Sequence, residues 1–309
     1  MEKRISKIEI ISIILFICSI IFFVLSYFFN KQALDFKNKY KKEENIFYLN
    51  NAKKDKYDFD LFMLNKEIDV YNNLDKAIDD EKKLFFKNLK DLEDKILSGE
   101  SNRKIAYITF DDGPYYNTHK VLDILDQNDV KATFFTISMN GEYCYDNKSA
   151  NCFEMYKEYL KRGHTIANHT YTHAIFGGLY SSVDSFMDAI VRQEDHIRNL
   201  TGGYTTNITR FPGGSSTAKG HKEGIMQRLR ERGYGWVDWT AQDGDGKALS
   251  STDEAWNNLV SSLDSNIEVI LFHDYSAITT AILPDAIKYM KSQGYELYPL
   301  FYESNMISK

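Results

Sequence analysis

Thr109-Phe110-Asp111-Asp112-Gly113-Pro114 places two adjacent carboxylates at the end of an apolar segment. The segment Lys104–Phe110 has the composition of a buried strand, and the Gly-Pro pair predicts where that strand ends. Neighbouring carboxylates repel each other, so a partner must offset the cost of placing them together. A metal cation does so directly, because one carboxylate can bind the ion while the other acts as a base. The alternative is an ordinary solvated Asp-Gly turn.

A second polar stretch, His169-Thr170-Tyr171-Thr172-His173, places two imidazoles four residues apart. Histidines at this spacing lie on one face of a helical turn, so both rings could reach one ion. With Asp112 they would supply three protein ligands and leave coordination positions open, as in a catalytic rather than a structural site. The alternative is a pair of exposed histidines, although the chain has only 7 His.

Three further polar clusters follow short apolar runs. In Arg210–Ser215 the arginine could pair with a carboxylate, and the glycines leave backbone N–H groups uncovered for an oxyanion. Trp236–Asp245 ends in acidic residues, and Val269–Asp274 is an apolar strand that ends in a histidine. Each has an alternative: a surface arginine, an acidic turn, or a strand-end histidine bound by its neighbour. All the clusters nevertheless follow predicted strands, where α/β proteins place their active sites.

In this order, the clusters resemble the five signature motifs of the polysaccharide deacetylases, the NodB-homology domain of carbohydrate esterase family 4. The resemblance runs from about Lys104 to Leu300. It implies that Asp111 is the general base and that His273 is the general acid. It further implies that Arg210 holds Asp111, and that the metal ligands are Asp112, His169 and His173.

The resemblance also implies contacts with the acetyl group. Leu271 would line a pocket for the methyl, and the backbone N–H of Gly213 would help to bind the oxyanion, at a position where many family members carry Tyr. The fourth motif departs from the family pattern, which often ends in Asp-Trp, because this chain has Asp243-Gly244-Asp245-Gly246. We assign the orientation of His273 to Asp245, with Asp243 as the alternative.

The reaction implied by the resemblance is metal-dependent hydrolysis of N-acetyl groups on a polysaccharide. Zinc is the default ion for two histidines and one aspartate, and cobalt, nickel or manganese can bind the same ligands. We expect N-acetylglucosamine in peptidoglycan as the substrate. The alternatives are poly-N-acetylglucosamine, chitin oligomers, or a catalytically silent, membrane-tethered glycan-binding protein. The net charge of −6 and the lack of a basic tract argue against nucleic acid.

The N-terminal third predicts where this domain is located. Ile10–Phe29 contains no charged residue, is long enough at about 20 residues to span a bilayer, and is not followed by a cleavage site typical of a signal peptide. Lys3, Arg4 and Lys7 precede it, which predicts a cytoplasmic N-terminus and an extracellular catalytic domain. The expected plan is a signal anchor over residues 1–30, a helical stalk over 31–100 and the catalytic domain over 101–309.

The predicted stalk has neither Gly nor Pro from Lys31 to Ser98. Its apolar residues recur mostly at steps of three or four, which indicates a coiled coil or helical hairpin able to self-associate. The alternative is a helix packed on the catalytic domain. We place the boundary at Ser98–Ser101 because of the glycine there.

The last 209 residues predict an α/β fold, an incomplete (β/α)7-type barrel, which the resemblance also implies. Helical stretches such as Ser182–Leu200 and Glu254–Leu263 separate the strands. Cys144 and Cys152 flank a polar loop, and in an extracellular domain we expect them to form a disulfide. The strand-like runs begin near Lys104, Lys131, His164, Asn207, Tyr234, Ile267 and Tyr295.

Overall fold

The chain divides into two compact units, Met1–Asp80 and Glu81–Lys309. A computed structural model describes residues 22, 25–35, 37, 66, 80–138 and 152–309. In the first unit, residues 25–35 are helical. Among the described residues no helix has the length and apolar character needed to cross a bilayer, and most of the predicted span Ile10–Phe29 lies outside them.

A parallel sheet of eight strands forms the centre of the second unit, in the order β5-β4-β3-β2-β1-β7-β6. The strand β8 pairs with the first half of β1, and β2 pairs with its second half. The predicted parallel α/β fold is confirmed as an open half-barrel. The strands are β1 (Lys104–Gly113), β2 (Thr133–Thr136), β3 (Thr165–Asn168), β4 (Ile208–Thr209), β5 (Gly235–Trp236), β6 (Ala241–Gln242), β7 (Ile267–His273) and β8 (Tyr295–Tyr298).

Helices connect the strands and cover the outer face of the sheet. Ser182 and Ser276 cap two of them by accepting hydrogen bonds from backbone N–H groups three residues later. The helices are α1 (residues 80–97), α2 (Thr118–Gln127), α3 (Cys152–Lys161), α4 (Val183–Thr201), α5 (Lys222–Glu231), α6 (Thr252–Ser262) and α7 (Ala277–Ser292).

Both faces of β1 are buried, which explains its nearly continuous apolar sequence. Side chains alternate along a strand, so Ala106, Ile108 and Phe110 pack under the helices. Ile105 and Tyr107 lie on the opposite face, inside the barrel, in a cluster that also contains residues of α1. Continuing along this inner face leads to Thr109 and Asp111, so the strand itself directs the first carboxylate into the barrel.

The helix α1 packs against the barrel through Leu89 and Ile96. Between them, Glu93 is fully buried and its carboxylate accepts hydrogen bonds from the Tyr107 hydroxyl at 2.5 Å and the Asn305 backbone N–H at 2.7 Å. The compact unit therefore begins at Glu81, earlier than the boundary expected at Ser98–Ser101. Residues 81–97 follow the alternative in which the helix packs on the catalytic domain.

We expect Glu93→Ala to lower the free energy of unfolding by about 3 kcal/mol, because it leaves buried donors without an acceptor. Asp91→Ala, an exposed position on the same helix, should change it by less than about 0.5 kcal/mol. Urea denaturation of the two variants measures both values. Equal effects would show that α1 does not stabilise the barrel through Glu93.

Candidate active site

Asp112, His169 and His173 meet at the C-terminal ends of β1 and β3. One carboxylate or imidazole atom from each lies within 4.8 Å of the others. Asp112 Oδ1 is 3.6 Å from His169 Nε2 and 3.5 Å from His173 Nε2. Two ligand atoms bound at about 2.0–2.2 Å to one tetrahedral ion lie roughly 3.4 Å apart. The donor set and its spacing therefore fit a divalent metal ion.

The backbone that brings the two histidines together is not a helical turn, so that part of the prediction is wrong. Thr170 and His173 have φ angles of 67° and 49°, in the left-handed region. The Asn168 side chain stabilises the turn by accepting a hydrogen bond from Thr170 N–H at 2.9 Å. This turn, rather than helical periodicity, brings the two rings to a centroid distance of 4.9 Å.

The His169 ring is fixed for binding through Nε2. Its Nδ1 lies 2.8 Å from the Arg210 carbonyl oxygen, so Nδ1 carries the hydrogen and Nε2 presents its lone pair. Burial, reinforced by nearby His173, lowers the pKa of His169 to about 3. A neutral imidazole is the form that binds a metal.

Asp111 forms a buried ion pair with Arg210. The Arg210 Nη1 lies 2.8 Å from Asp111 Oδ1, and both side chains are almost completely buried. Arg210 also donates to Thr109 Oγ1 at 2.7 Å and stacks over the Phe135 ring at 4.2 Å. Burial raises the pKa of Asp111, while the Arg210 charge opposes that rise. The second oxygen, Oδ2, lies 3.6 Å from His169 Nε2, beside the metal-binding set.

On the other side of Asp112, His273 ends β7. Its Nε2 is 3.8 Å from Asp112 Oδ2, and its Nδ1 is 2.7 Å from Asp245 Oδ1. The other oxygen of Asp245 accepts the His273 backbone N–H at 2.7 Å. Burial disfavours the charged ring, but the hydrogen bond and charge of Asp245 outweigh it and raise the pKa of His273 to about 9.

The residues expected to contact the acetyl group lie at the same end of the barrel. Leu271 is buried on β7, two residues before His273 and on the same face of the strand. Gly213 has a φ of 72°, and a Cβ there would lie 3.1 Å from Ile175 Cδ1. Within the described part of the chain, its backbone N–H has no hydrogen-bond partner. It is thus available to a ligand.

A fold match and several sequence matches identify the family. A model of the polysaccharide deacetylase family matches residues 98–234. A peptidoglycan-N-acetylglucosamine deacetylase of Bacillus cereus is 31% identical over 208 residues, which cover 66% of this chain and 71% of the relative. The solved catalytic domain of a peptidoglycan N-acetylglucosamine deacetylase from Eubacterium rectale is 32% identical, with a TM-score of 0.60 over 67% of this chain and 93% of that domain. The chain belongs to the polysaccharide deacetylase family.

A relative named for a different substrate is also similar. A chitin deacetylase of Colletotrichum lindemuthianum is 30% identical over 198 residues, which cover 62% of this chain and 75% of the relative. Deacetylases of this family use a divalent metal, in agreement with the donor set described above. Family membership thus fixes the class of hydrolase and leaves the choice of glycan open.

The expected disulfide between Cys144 and Cys152 falls outside the described part of the chain, which contains neither Cys144 nor the side chain of Cys152.

Of the aromatic residues near the fourth motif, Tyr234 and Trp236 are buried in a hydrophobic cluster and serve core packing. Trp239 is partly exposed, and a Cβ on Gly214 would lie 3.3 Å from its ring.

Two polar residues behind the site were not predicted from the sequence. Thr279 lies on α7 and contacts both acidic residues of the fourth motif. Asp274 is buried directly beneath the first motif, accepts a hydrogen bond from Thr118, and would overlap a Cβ at Gly113. Burial raises the pKa of Asp274 to about 7. The sequence signal for Asp274 is its position next to His273; none pointed to Thr279.

We expect the adjacent carboxylates to differ in metal binding. Asp112→Asn should weaken zinc affinity by about tenfold or more, because it removes a charged ligand. Asp111→Asn should keep a zinc content near that of the wild type, since Asp111 pairs with Arg210. Equilibrium dialysis followed by elemental analysis measures both. Loss of zinc in Asp111→Asn alone would reverse the two assignments.

Proposed function

We propose that this chain is a metal-dependent hydrolase that removes N-acetyl groups from N-acetylglucosamine residues of a cell-wall glycan. The proposed glycan is peptidoglycan, and the proposed metal ion is zinc. The observation that carries the proposal is the arrangement around Asp112. A carboxylate held by Arg210 lies on one side of the metal-binding set, and an imidazole held by Asp245 lies on the other. This is the pairing of base and acid that amide hydrolysis needs.

Asp111 has the geometry of a general base. A divalent ion bound by Asp112, His169 and His173 would lower the pKa of water and polarise the amide carbonyl. Oδ1 of Asp111 is occupied by Arg210, which leaves Oδ2 on the metal side to accept the proton of the attacking water. Burial raises the pKa of this carboxyl, which strengthens it as a base.

His273 is placed to complete the reaction. The N–H of Gly213 would donate to the developing oxyanion, and Leu271 would contact the methyl of the acetyl group. His273 Nε2 would then protonate the nitrogen as the C–N bond breaks, because an amine leaves poorly without a proton. Asp245 holds the opposite ring nitrogen and stabilises the imidazolium before this transfer. The products are acetate and a free glucosamine amine.

The choice of peptidoglycan rests on two supports. The relatives from Bacillus cereus and Eubacterium rectale are both named as peptidoglycan N-acetylglucosamine deacetylases. The uncharged segment Ile10–Phe29, preceded by basic residues, favours a membrane-anchored enzyme whose catalytic domain lies outside the cell. Protease treatment of intact cells should therefore cleave the catalytic domain, and full protection would contradict this location.

Acetate release from three glycans tests the substrate. We expect the zinc-loaded enzyme to release more acetate from purified peptidoglycan than from chitin oligomers or a β-1,6-linked N-acetylglucosamine polymer. Asp111→Asn is the matched inactive control and should lose about 10²-fold or more in turnover. A preference for chitin oligomers would contradict peptidoglycan as the substrate and would favour chitin, as in the name of the fungal relative. No release from any glycan would favour a silent glycan-binding protein.

The role of His273 predicts a dependence on the leaving group. His273→Ala should lower turnover on an N-acetyl substrate by about 10²-fold or more, but should affect an aryl acetate far less, because its leaving group needs no proton. His119→Ala, at an exposed position on α2, should leave both rates near those of the wild type. Equal losses on the two substrates would mean that His273 acts through structure rather than as an acid.

A further inference from the structure

A single hydroxyl bridges the two acidic residues of the fourth motif. Thr279 Oγ1 lies 2.7 Å from Asp243 Oδ2 and 2.7 Å from Asp245 Oδ2. All three residues are buried: Asp243 is 0% exposed, Thr279 1% and Asp245 6%. Ser276 fixes the position of Thr279 by accepting its backbone N–H at 3.1 Å, at the start of α7.

The bridge sets the number of protons shared by the two carboxyl groups. A threonine hydroxyl has one hydrogen, so it can donate to one carboxylate only. A second oxygen at 2.7 Å must then supply a hydrogen of its own, because two lone pairs at that distance repel each other. The two contacts therefore indicate a proton on one of the two aspartates.

The surrounding donors distinguish the two aspartates. Asp245 accepts hydrogen bonds from both the ring and the backbone of His273, which is the environment of an ionised carboxylate. Besides its contact with Thr279, the Asp243 carboxyl accepts a hydrogen bond from the Asp245 backbone N–H at 3.1 Å, and it has no cationic partner within the described part of the chain. Burial and the charge of Asp245 raise the pKa of Asp243 to about 7.

We infer that Asp243 is a positioning residue that carries a proton and donates a hydrogen bond to Thr279, whose hydroxyl in turn donates to Asp245. The chain of donors then runs from Asp243 through Thr279 to Asp245, and Asp245 holds His273. This inference rests on the proposed role of His273 as the general acid.

The arrangement determines both the geometry and the strength of the acid. The hydrogen bond from Thr279 attaches Asp245 to α7, so the carboxylate that orients His273 cannot rotate freely. The proton on Asp243 limits the pair to one negative charge. A second charge would bind the imidazolium proton more tightly and would make His273 a weaker acid toward the leaving amine.

Carbon-13 NMR of the aspartate carboxyl groups tests the proton directly in the full-length, zinc-loaded chain. The signal that disappears in Asp243→Asn identifies Asp243. At pH about 5.5 exposed aspartates are ionised, yet this signal should have the chemical shift of the neutral acid. A carboxylate shift there would overturn the inference. If Asp243→Asn does not fold, the Asp243 signal is assigned instead as the neutral-acid resonance whose chemical shift changes in Thr279→Ser, because Thr279 contacts the Asp243 carboxyl.

Turnover on two substrates tests the positioning role. Thr279→Val should lower the rate on an N-acetyl substrate by about tenfold or more, whereas Thr279→Ser, which keeps the hydroxyl, should restore most of it. The same variants should lose much less on an aryl acetate, which needs no acid. The neighbouring Thr280→Val is the matched control, since its hydroxyl bonds the Ser276 carbonyl instead.

Equal losses on the two substrates would make Thr279 merely structural and would overturn the positioning role. A wild-type enzyme without activity on any N-acetyl glycan would instead contradict the proposed function. The NMR result does not depend on activity, so the two failures can be distinguished.

Discussion

The buried guanidinium of Arg210 is the interaction on which the site depends. Its donors reach Thr109, Asp111 and the Val237 carbonyl, and its own carbonyl accepts Nδ1 of His169. The same residue thus orients the proposed base through its side chain and a proposed metal ligand through its backbone. A buried ion pair that loses one partner costs about 3–5 kcal/mol, so the stability and the chemistry of this barrel are coupled at Arg210.

That coupling extends through the barrel along the inner face of β1. Tyr107 binds Glu93 of α1, Thr109 binds Arg210, and Asp111 follows at the end of the strand. These three polar side chains share one face because their spacing is two residues. The helix that covers the lower end of the barrel is therefore hydrogen-bonded to the same strand that carries the proposed base, and α1 belongs with the catalytic unit for that reason.

The sequence predicted most of what depends on local pattern. Apolar runs located seven strands, and the motifs located the residues around Asp112, whereas β6 was missed because Ala241-Gln242 forms no apolar run of its own. The helical turn predicted at His169 failed because left-handed residues set the turn geometry there. In the sequence, Glu93 resembles a surface residue of a charged helix. Nothing nearby indicates its burial, because Ser304, which donates a hydrogen bond to it, is 211 positions away. Contacts over such separations have no local signature.

Pairing of charges explains how so many carboxyl groups can be buried together. Three carboxyl groups of the site face a basic side chain: Asp111 faces Arg210, Asp245 faces His273, and Asp112 faces His169 and His173. Asp243 and Asp274 have no such partner within the described residues, and burial raises the pKa of each to about 7. Burial without a cation favours the protonated form of these two carboxyl groups. A protonated carboxyl can donate a hydrogen bond, which an ionised carboxylate cannot. Asp243 donates in this way to Thr279, whose hydroxyl holds Asp245, the residue that orients His273.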